Sequence, residues 1–474
     1  MICKNFMKVK SRNTIKEKVV IQGMGFVGSA MSIVCANSSA NRFVFGIDLK
    51  KNNNKLNKFN KGVFPYKCED KNLLTEYHKS IKNKKIIATS SIEPYKTADI
   101  IIVDTNLDVS KQYGQLNKIS YKVKINEFLN GIKTIAKYCK ENVLILIETT
   151  VPPGTTENLI KPIIQTKIKK RGLDINKIYI GHSYERVMPG INYLNSIKNY
   201  YRVYSGINKK SSEKTEKFLN SIINTKLYPL TRLNNTNESE IAKVLENSYR
   251  AMNISFMIEW SRFAEKSNSN IYSIVNAIRK RETHKNIMLP GIGVGGYCLP
   301  KDSLLADWSS KKIFSKKKIL NFSKKAIEEN DLMPFYSFNF IKENFKNLKN
   351  KKIFFLGCSY SGNIGDTRNS PVLDLYKLLK KKKNKIFVHD PYIDFWKDTK
   401  TKTVKLKQID KVQPDLLIFS TLHKKYVKND SLIKSINKLK KKTYIFDLLG
   451  VLNEKEIKLL SKKHIIKVLG RGDL

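Results

Sequence analysis

The residues with the most chemistry in this 474-residue chain sit in one short segment. Pro290-Gly291-Ile292-Gly293-Val294-Gly295-Gly296-Tyr297-Cys298-Leu299-Pro300-Lys301-Asp302 places four glycines ahead of a cysteine, and a Lys-Asp pair just after it. Glycines let the backbone carry the sulfur into a crowded site, and Asp302 lies four residues further on. Such a thiol adds to an aldehyde carbon and, once the adduct is oxidised, holds the acyl group as a thioester until water releases it. That chemistry needs a hydride acceptor, and a second motif supplies a binding site for one. Gly23-Met24-Gly25-Phe26-Val27-Gly28 follows the apolar strand Val19-Val20-Ile21 and opens a helical run, and Asp48 comes twenty residues after the last glycine, at the end of the next strand. Gly23 permits a tight turn, Gly25 lets the backbone approach a pyrophosphate, and Gly28 allows the helix to pack closely on the strand. Asp48 accepts hydrogen bonds from an adenosine ribose and favours NAD over NADP, with Lys50 and Lys51 working against that preference.

Two further groups could join this chemistry. Glu148-Thr149-Thr150-Val151-Pro152-Pro153-Gly154-Thr155-Thr156 ends a buried strand, where open α/β sheets place ligands, and its hydroxyls can position water or a cofactor. Glu240, Lys243 and Asn247 are three and four residues apart and share one helix face. Such a line is either a solvated stripe or, turned into a cleft, a Lys and an Asn that stabilise a developing oxyanion. His182, His284 and His423 lack metal-ligand spacing, so no metal is expected. Arg281 is a better candidate than His284 for a contact to a substrate anion.

These groups need a scaffold. Apolar strands at Arg42–Ile47, Asp99–Val103 and Val143–Ile147 alternate with amphipathic stretches such as Asn126–Lys140, the pattern of a parallel sheet covered on both faces. Glu240 to Glu265 has no Gly or Pro and carries Ile241, Val244, Leu245, Tyr249 and Met252 at helical spacing, which predicts one long helix. Shorter helices follow to about Ala277 and over Asp302–Trp308, and another over Lys318–Lys342, interrupted near Pro334. A second α/β region starts at Ile353-Phe354-Phe355-Leu356, with a helix over Pro371–Leu379 and later strands at Leu416–Phe419 and Tyr444–Phe446. The expected architecture is α/β: two Rossmann-like doubly wound parallel-sheet domains joined by an all-helical middle. The expected divisions are a basic tail at 1–17, a dinucleotide-binding domain at 18–205, a helical dimerisation domain with the cysteine loop at 206–345, and a second Rossmann-like domain at 346–474.

Lys and Arg number 89 against 41 Asp and Glu, a formal net charge of +48. A nucleic-acid-binding protein is the reading of another class that this charge invites. The basic residues are dispersed from end to end, however, and no nucleic-acid-reading motif is present, so neither nucleic acid nor membrane is expected as a partner. No apolar run reaches the ~18 residues of a membrane span. The six scattered cysteines form no CxxC pair and read as reduced thiols in a cytoplasm.

Taken in order along the chain, the motifs resemble the UDP-glucose/GDP-mannose dehydrogenase family of nucleotide-sugar 6-dehydrogenases. The resemblance rests on Gly23–Gly28, Thr149–Thr156, Glu185-Arg186, Lys243 with Asn247, Gly295–Cys298, Lys301-Asp302, Asn330-Asp331, Gly365–Pro371 and Asp390-Pro391. It implies a four-electron oxidation at sugar C6 that consumes two NAD and yields a carboxylate for glycan precursors. Carried over residue by residue, Cys298 is the nucleophile, Glu185 the acid/base and Thr150 the water-positioning hydroxyl. Lys243, Asn247 and Asp302 manage the proton and the C6 oxyanion. Gly23, Gly25, Phe26, Val27, Gly28, Asp48, Thr105, Thr150 and Lys301 fall to the cofactor. Glu185, Arg186, Lys243, Asn247, Arg281, Gly295 and Arg368 fall to the substrate. The C-terminal domain would hold the nucleoside diphosphate, and the middle helices would form a homodimer. Ser183-Tyr184-Glu185-Arg186, Asn286-Ile287-Met288 and Leu422-His423 are similar to the branch acting on UDP-2-acetamido sugars, so a UDP-N-acetylhexosamine (UDP-GlcNAc or UDP-ManNAc) is expected, with UDP-glucose second. The chain departs from the family pattern at Asp104-Thr105-Asn106-Leu107, at Ser361 where a Lys is common, and at Leu449 in a segment that often reads Asp-Arg-Gly. A cofactor-binding protein without turnover is the reading those departures would favour.

Overall fold

The central strands of both sheets form where β-branched and aromatic residues run without a polar break, because both of their faces are covered. In a computed structural model, residues 17–66, 68–113, 119–187, 190–315 and 319–474 are described. The tail expected at 1–17 lies outside them except for Glu17, as do Cys3, Met188, Pro189 and Lys318.

Chain contacts divide the described residues into two units: residues 17–113, 120–245, 304–315 and 319 in the first, and residue 119, Glu246–Ser303 and 320–474 in the second. In the first unit, β1 (Glu17–Gln22), β2 (Arg42–Ile47), β3 (Ile86–Thr89), β4 (Ile100–Val103), β5 (Leu144–Ile147), β6 (Tyr179–His182), β7 (Val203–Gly206) and β8 (Thr231–Arg232) form a sheet ordered β8-β7-β6-β5-β4-β1-β2-β3. From β3 to β6 every pairing is parallel. The run β3-β2-β1-β4-β5-β6 is the dinucleotide-binding order, and it reverses between β1 and β4. Alternate residues feed two cores. Val19, Ile21, Ile100 and Ile102 pack with Ala30 and Ile33 of α1 (Phe26–Ala36). Val20, Ile101, Val103 and Ile145 pack on the other face with Ile132 and Ile164.

The long helix α2 (Thr236–Lys266) starts four residues earlier than expected and carries its first ten residues in the first unit. In the second unit, α3 (Ile271–Ile278) and α5 (Asn321–Asn344) accompany a sheet of β9 (Lys352–Leu356), β10 (Lys385–His389), β11 (Leu416–Phe419), β12 (Tyr444–Asp447) and β13 (Ile465–Val468), with α4 (Asp302–Lys312) bridging the boundary in sequence. The strand order is β10-β9-β11-β12-β13, all parallel. The helix α6 (Pro371–Lys380) follows β9.

The expected interruption near Pro334 is absent: α5 is continuous through it. Pro334 lacks the N–H that Asn330 C=O would otherwise receive, and that carbonyl faces Gly293, whose missing Cβ would lie 3.0 Å from it. The Asn330 side chain in turn donates to Ala251 O at 2.9 Å, so neighbouring elements hold the turn that proline weakens.

Candidate active site

The first unit builds a nucleotide cradle at the point where its strand order reverses. Gly23 has φ +103°, a conformation that favours glycine. A Cβ there would meet Asp104 O at 2.6 Å, so only glycine lets the ends of β1 and β4 approach this closely. A Cβ on Gly28 would lie 1.9 Å from Gly23 O, which fixes the close packing of α1 on β1. Gly25 differs: nothing lies within 4 Å of its Cβ position. It is the N-cap of α1, where no side chain caps the helix and no acidic residue occupies the first turn. An uncapped helix N-terminus beside open space is suited to a pyrophosphate. The hydroxyl of Thr105, at the same crevice, is buried without a hydrogen-bond partner. These features fit a dinucleotide. Phe26 and Val27 form the first turn of α1, and Phe26 O accepts from Tyr193 OH.

Asp48 stands at the end of β2 and accepts from Leu49 N–H at 2.8 Å, Asn52 at 2.9 Å and Lys55 Nζ at 2.8 Å. Burial opposes its ionisation, but the Lys55 and Asn52 hydrogen bonds win and hold its carboxyl below the usual range. Its cationic neighbour is therefore Lys55, which also donates to Met24 O, and not the exposed Lys50 and Lys51 named from sequence.

At the ends of β5 and β6, Thr149 donates to Val103 O at 3.0 Å and Thr105 O at 2.8 Å, tying the Thr-Thr-Val-Pro segment to β4. Thr150, next along, is half-buried. Glu240 proves to be the anchor of the following loop. Its carboxylate accepts from Gly154 N–H at 2.6 Å, Thr156 N–H at 2.9 Å and Thr156 Oγ1 at 2.5 Å. Burial pushes this carboxyl up to about 7 against those hydrogen bonds. One turn on, Lys243 is buried and donates to Glu185 O at 2.9 Å, its ammonium 5.2 Å from the Tyr184 ring. Glu185 is half-buried and accepts from Val187 N–H. Arg186 donates to Tyr201 O at 2.5 Å and lies over the rings of Tyr184 and Tyr200. His182 is fully buried, and its Nδ1 pairs with Ser239 Oγ at 2.7 Å. Burial, reinforced by Lys243, lowers it to about 3, so it is a neutral core histidine.

The second unit builds the cysteine loop. Asn247, one turn beyond Lys243 on α2, donates to Asp302 Oδ2 at 2.6 Å, and Lys301 Nζ lies 3.1 Å from Asp302 Oδ1. All three side chains are buried, so the polar line on α2 faces inward and is not a solvated stripe. Cys298 O accepts from Lys301 N–H and Asp302 N–H, both at 3.0 Å, which sets the cysteine against the start of α4. The glycines before it are sterically required. A Cβ on Gly295 would meet Tyr360 Cβ at 2.5 Å and Asn369 O at 2.7 Å. Gly296 has φ +85° and lies under the Tyr360 ring. Gly296 N–H donates to Arg368 O at 3.0 Å, and Asn369 Nδ2 donates to Gly296 O at 2.8 Å. The loop is thus pinned to the segment after β9. Arg368 forks onto Asp366 with contacts of 2.6–3.1 Å and lies 5.6 Å over Tyr297. Lys301 lies 4.6 Å over the same ring. Tyr360, its hydroxyl raised to about 12 by burial and by Asp366, feels the charges of Cys298, Arg368 and Arg250. Arg281 is exposed at the N-cap of a short turn, away from these contacts in sequence and in bonding. Ser361 is exposed, and Leu449 packs toward Gly291.

Sequence reasoning did not single out Tyr360 and Asn369, which clamp the glycines, or the buried Arg202–Glu148 ion pair at 3.1 Å. Their partners are distant in the chain, and no local spacing announces them. Among the described residues no group of three or more His, Cys, Asp or Glu could hold a metal ion, and no helix is long and apolar enough to cross a membrane.

Comparison with known proteins agrees with this division of labour. The UDP-glucose/GDP-mannose dehydrogenase family matches over all three of its parts: the NAD binding domain at residues 17–224, the central domain at 237–331 and the UDP binding domain at 354–454. The chain is 30% identical over 465 residues to the UDP-N-acetyl-D-mannosamine dehydrogenase of Methanococcus maripaludis, covering 96% of this chain and 97% of that protein. It is 27% identical to that of Pyrococcus horikoshii over 96% of this chain and 100% of that protein. A solved structure of UDP-D-ManNAc dehydrogenase from Pyrococcus horikoshii superposes with a TM-score of 0.78 at 25% identity, over 96% of this chain and all of the other. The UDP-N-acetyl-mannosamine dehydrogenase Cap5O of Staphylococcus aureus shares the fold, with a TM-score of 0.77 at 22% identity over 96% of this chain and 99% of that one. The chain belongs to the UDP-glucose/GDP-mannose dehydrogenase family and is an NAD-dependent oxidoreductase of nucleotide sugars.

Proposed function

We propose that the chain oxidises the C6 hydroxyl of a UDP-N-acetylhexosamine, UDP-ManNAc before UDP-GlcNAc, to the carboxylate, as a step toward glycan precursors. The observation that carries this reading is the cysteine loop: Gly295 and Gly296 admit no side chain against Tyr360, and they deliver Cys298 four residues before a buried Asp302 held by Asn247 and Lys301. The relatives named UDP-N-acetyl-D-mannosamine dehydrogenases support the acetamido sugar.

Gly23, Gly25, Phe26, Val27, Gly28, Asp48, Thr105 and Thr150 would hold NAD, with Lys301 contributing charge, and NAD would supply the hydride acceptor. Lys243 and Asn247 steady the C6 oxygen as it loses its proton. The Cys298 sulfur adds to the aldehyde carbon; a C–S bond forms, and the carbonyl oxygen takes a proton to give a thiohemiacetal. After the second oxidation the acyl group remains on sulfur as a thioester. Water positioned by Thr150 and deprotonated by Glu185 breaks the C–S bond, and sulfur recovers a proton. Per sugar, one water is consumed, and the alcohol, two NAD and that water yield carboxylate, two NADH and three protons. Arg186, Arg368 and Arg281 serve the substrate's anionic groups. The parts at 18–205, 206–345 and 346–474 bind cofactor, pair with a second copy and bind the nucleoside diphosphate.

The homodimer rests on α2. Its exposed face carries Ile241, Leu245, Tyr249, Met252, Phe256, Trp260 and Phe263, while its polar residues Glu240, Lys243 and Asn247 are buried. A helix that buries these polar residues and leaves a seam of seven large apolar side chains exposed fits a second copy of the chain.

The test is a panel of UDP-sugars with NADH counted against sugar consumed. Two NADH per UDP-ManNAc support the reading. Steady-state acid formation by Cys298→Ser would overturn the mechanism, and preference for UDP-glucose would overturn the substrate.

A further inference from the structure

We propose that Asp104 and Glu148 act as a proton-sharing counter-charge pair for the nicotinamide half of the cofactor: both ionised when the ring is cationic, and holding one proton between them when it is neutral. The proposal rests on the NAD assignment.

Position comes first. In the order β3-β2-β1-β4-β5-β6 the first mononucleotide half serves the adenosine end, marked here by Gly25 and by Asp48 at the end of β2. The second half, β4 to β6, serves the other end of the dinucleotide. Asp104 follows β4 directly, and Glu148 follows β5 directly. Asp104 is partly exposed at the crevice where Gly23 and Thr105 meet.

The cluster is also unsatisfied. Glu148 and Arg202 are 2% and 1% exposed and pair through one contact of 3.1 Å. Glu148 Oε2, Arg202 Nη2 and Asp104 Oδ2 are all buried with no hydrogen-bond partner, as are the hydroxyls of Thr105, next to Asp104 in sequence, and of Ser183, which follows β6. Orphaned buried polar atoms at this density are costly unless something completes them.

The charge count says what does. Asp104, Glu148 and Arg202, two carboxylates and one guanidinium, leave one negative charge in excess, which burial disfavours; around them the half-buried Glu185 adds a negative charge and Lys243, which donates to Glu185 O, offsets it. One proton on the pair restores neutrality. A cationic ring restores it equally well with both carboxyls ionised. Burial raises both carboxyls; the Glu148 charge and then Glu185 after β6 push Asp104 further up, Glu185 does the same to Glu148, and Arg202 opposes at both. From α1, Cys35 faces the pair but is raised to about 12, chiefly by burial, and stays neutral. His182 at the end of β6 is neutral as well. Each oxidation of C–OH to C=O releases a hydride and a proton. With NAD bound, the hydride would cancel the ring's charge, and the pair would take up one proton on a carboxylate oxygen at the same step, with no further reactant.

The test is binding, not turnover. The affinities of NAD and NADH are measured separately from about pH 6 to 9, a range that brackets the Glu148 carboxyl, which burial raises to about 7. For wild type, preference for NAD over NADH should rise with pH by up to about tenfold per unit, the limit for one linked proton. Asp104→Asn, at the partly exposed member, should flatten that slope. Glu148→Gln should flatten it too, and a circular-dichroism melt shows whether Arg202 tolerates the change. A pH-independent preference in wild type, or an unaltered slope in folded Asp104→Asn, overturns the proposal. Failure of both nucleotides to bind overturns the cofactor reading and the proposal with it, so the two failures are distinguishable.

Discussion

Asn247 Nδ2 donates to Asp302 Oδ2 at 2.6 Å, and this one hydrogen bond ties the inward face of α2 to the helix that begins just after Cys298. Asp302 is wholly buried, and its other oxygen holds Lys301 Nζ at 3.1 Å. Asp302→Ala leaves the Lys301 ammonium buried without its partner, a change worth about 3–5 kcal/mol. The expected result is a large drop in urea-melt stability together with loss of NADH formation. Asp302→Asn removes the charge but keeps the shape, and should lose less than half that stability while still losing activity. Unchanged stability in Asp302→Ala would mean that Lys301 swings into water, and that the pair does not organise the loop.

The two glycines at either end of the cradle should separate folding from binding. Gly25→Ala adds a methyl where nothing lies within 4 Å. Its melting temperature without nucleotide should match wild type, while NADH affinity, read by fluorescence titration, falls at least about tenfold, as expected for a methyl held between a helix N-terminus and a phosphate. Gly28→Ala puts the methyl 1.9 Å from Gly23 O and should cost about 1–3 kcal/mol of stability through overpacking alone. Equal loss of nucleotide-free stability in both variants would show that Gly25 is not a binding glycine.

Much of this was legible because the signal was local. The Gly23–Gly28 turn, Asp48, and the glycines before Cys298 state their conformational demands within a few residues, and the structure meets them with a positive φ at Gly23 and Gly296. Buried strands such as Ile100–Val103 announce themselves by unbroken apolar runs. What the sequence withheld depends on distance along the chain. Tyr360 is some sixty residues from the glycines it excludes from mutation, and Glu240 some eighty from the loop it anchors. The inward polar face of α2 was also ambiguous, because helical periodicity gives the face and not its direction. Pro334 reads as a break from sequence, because the hydrogen bond from Asn330 Nδ2 to Ala251 O that braces its turn joins residues far apart in the chain.

His182 makes a pH prediction with a definite sign. Its folded-state value is lowered from 6.5 to about 3 by burial and Lys243. The unfolded chain therefore binds a proton that the native state refuses as pH falls below 6.5, so the residue's contribution to stability is present above 6.5 and is lost on the way to about 3. The loss approaches about 1.4 kcal/mol per pH unit. His182→Asn keeps a polar atom for Ser239 and removes the titration. Urea melts between pH 7 and pH 5 should show wild type losing stability relative to the variant, and parallel pH dependences would reject a buried neutral imidazole.

The exposed face of α2 predicts both association and its geometry. Ile241, Met252 and Phe263 recur every eleven residues, as do Leu245 with Phe256 and Tyr249 with Trp260. An eleven-residue repeat advances 3.67 residues per turn, close to the natural helix, so two such seams pair with little supercoiling and, where they coil, right-handedly. Phe256 and Trp260 already pack with ring centroids 6.1 Å apart, and Trp260 with Phe263 at 5.8 Å, which gives each copy a preformed aromatic ridge. Phe256→Glu puts a charge at the centre of that ridge. Sedimentation should then shift from dimer toward monomer, whereas Glu259→Lys, off the seam on the same turn, should leave the dimer intact. If Phe256→Glu remains dimeric, the copies associate through another surface.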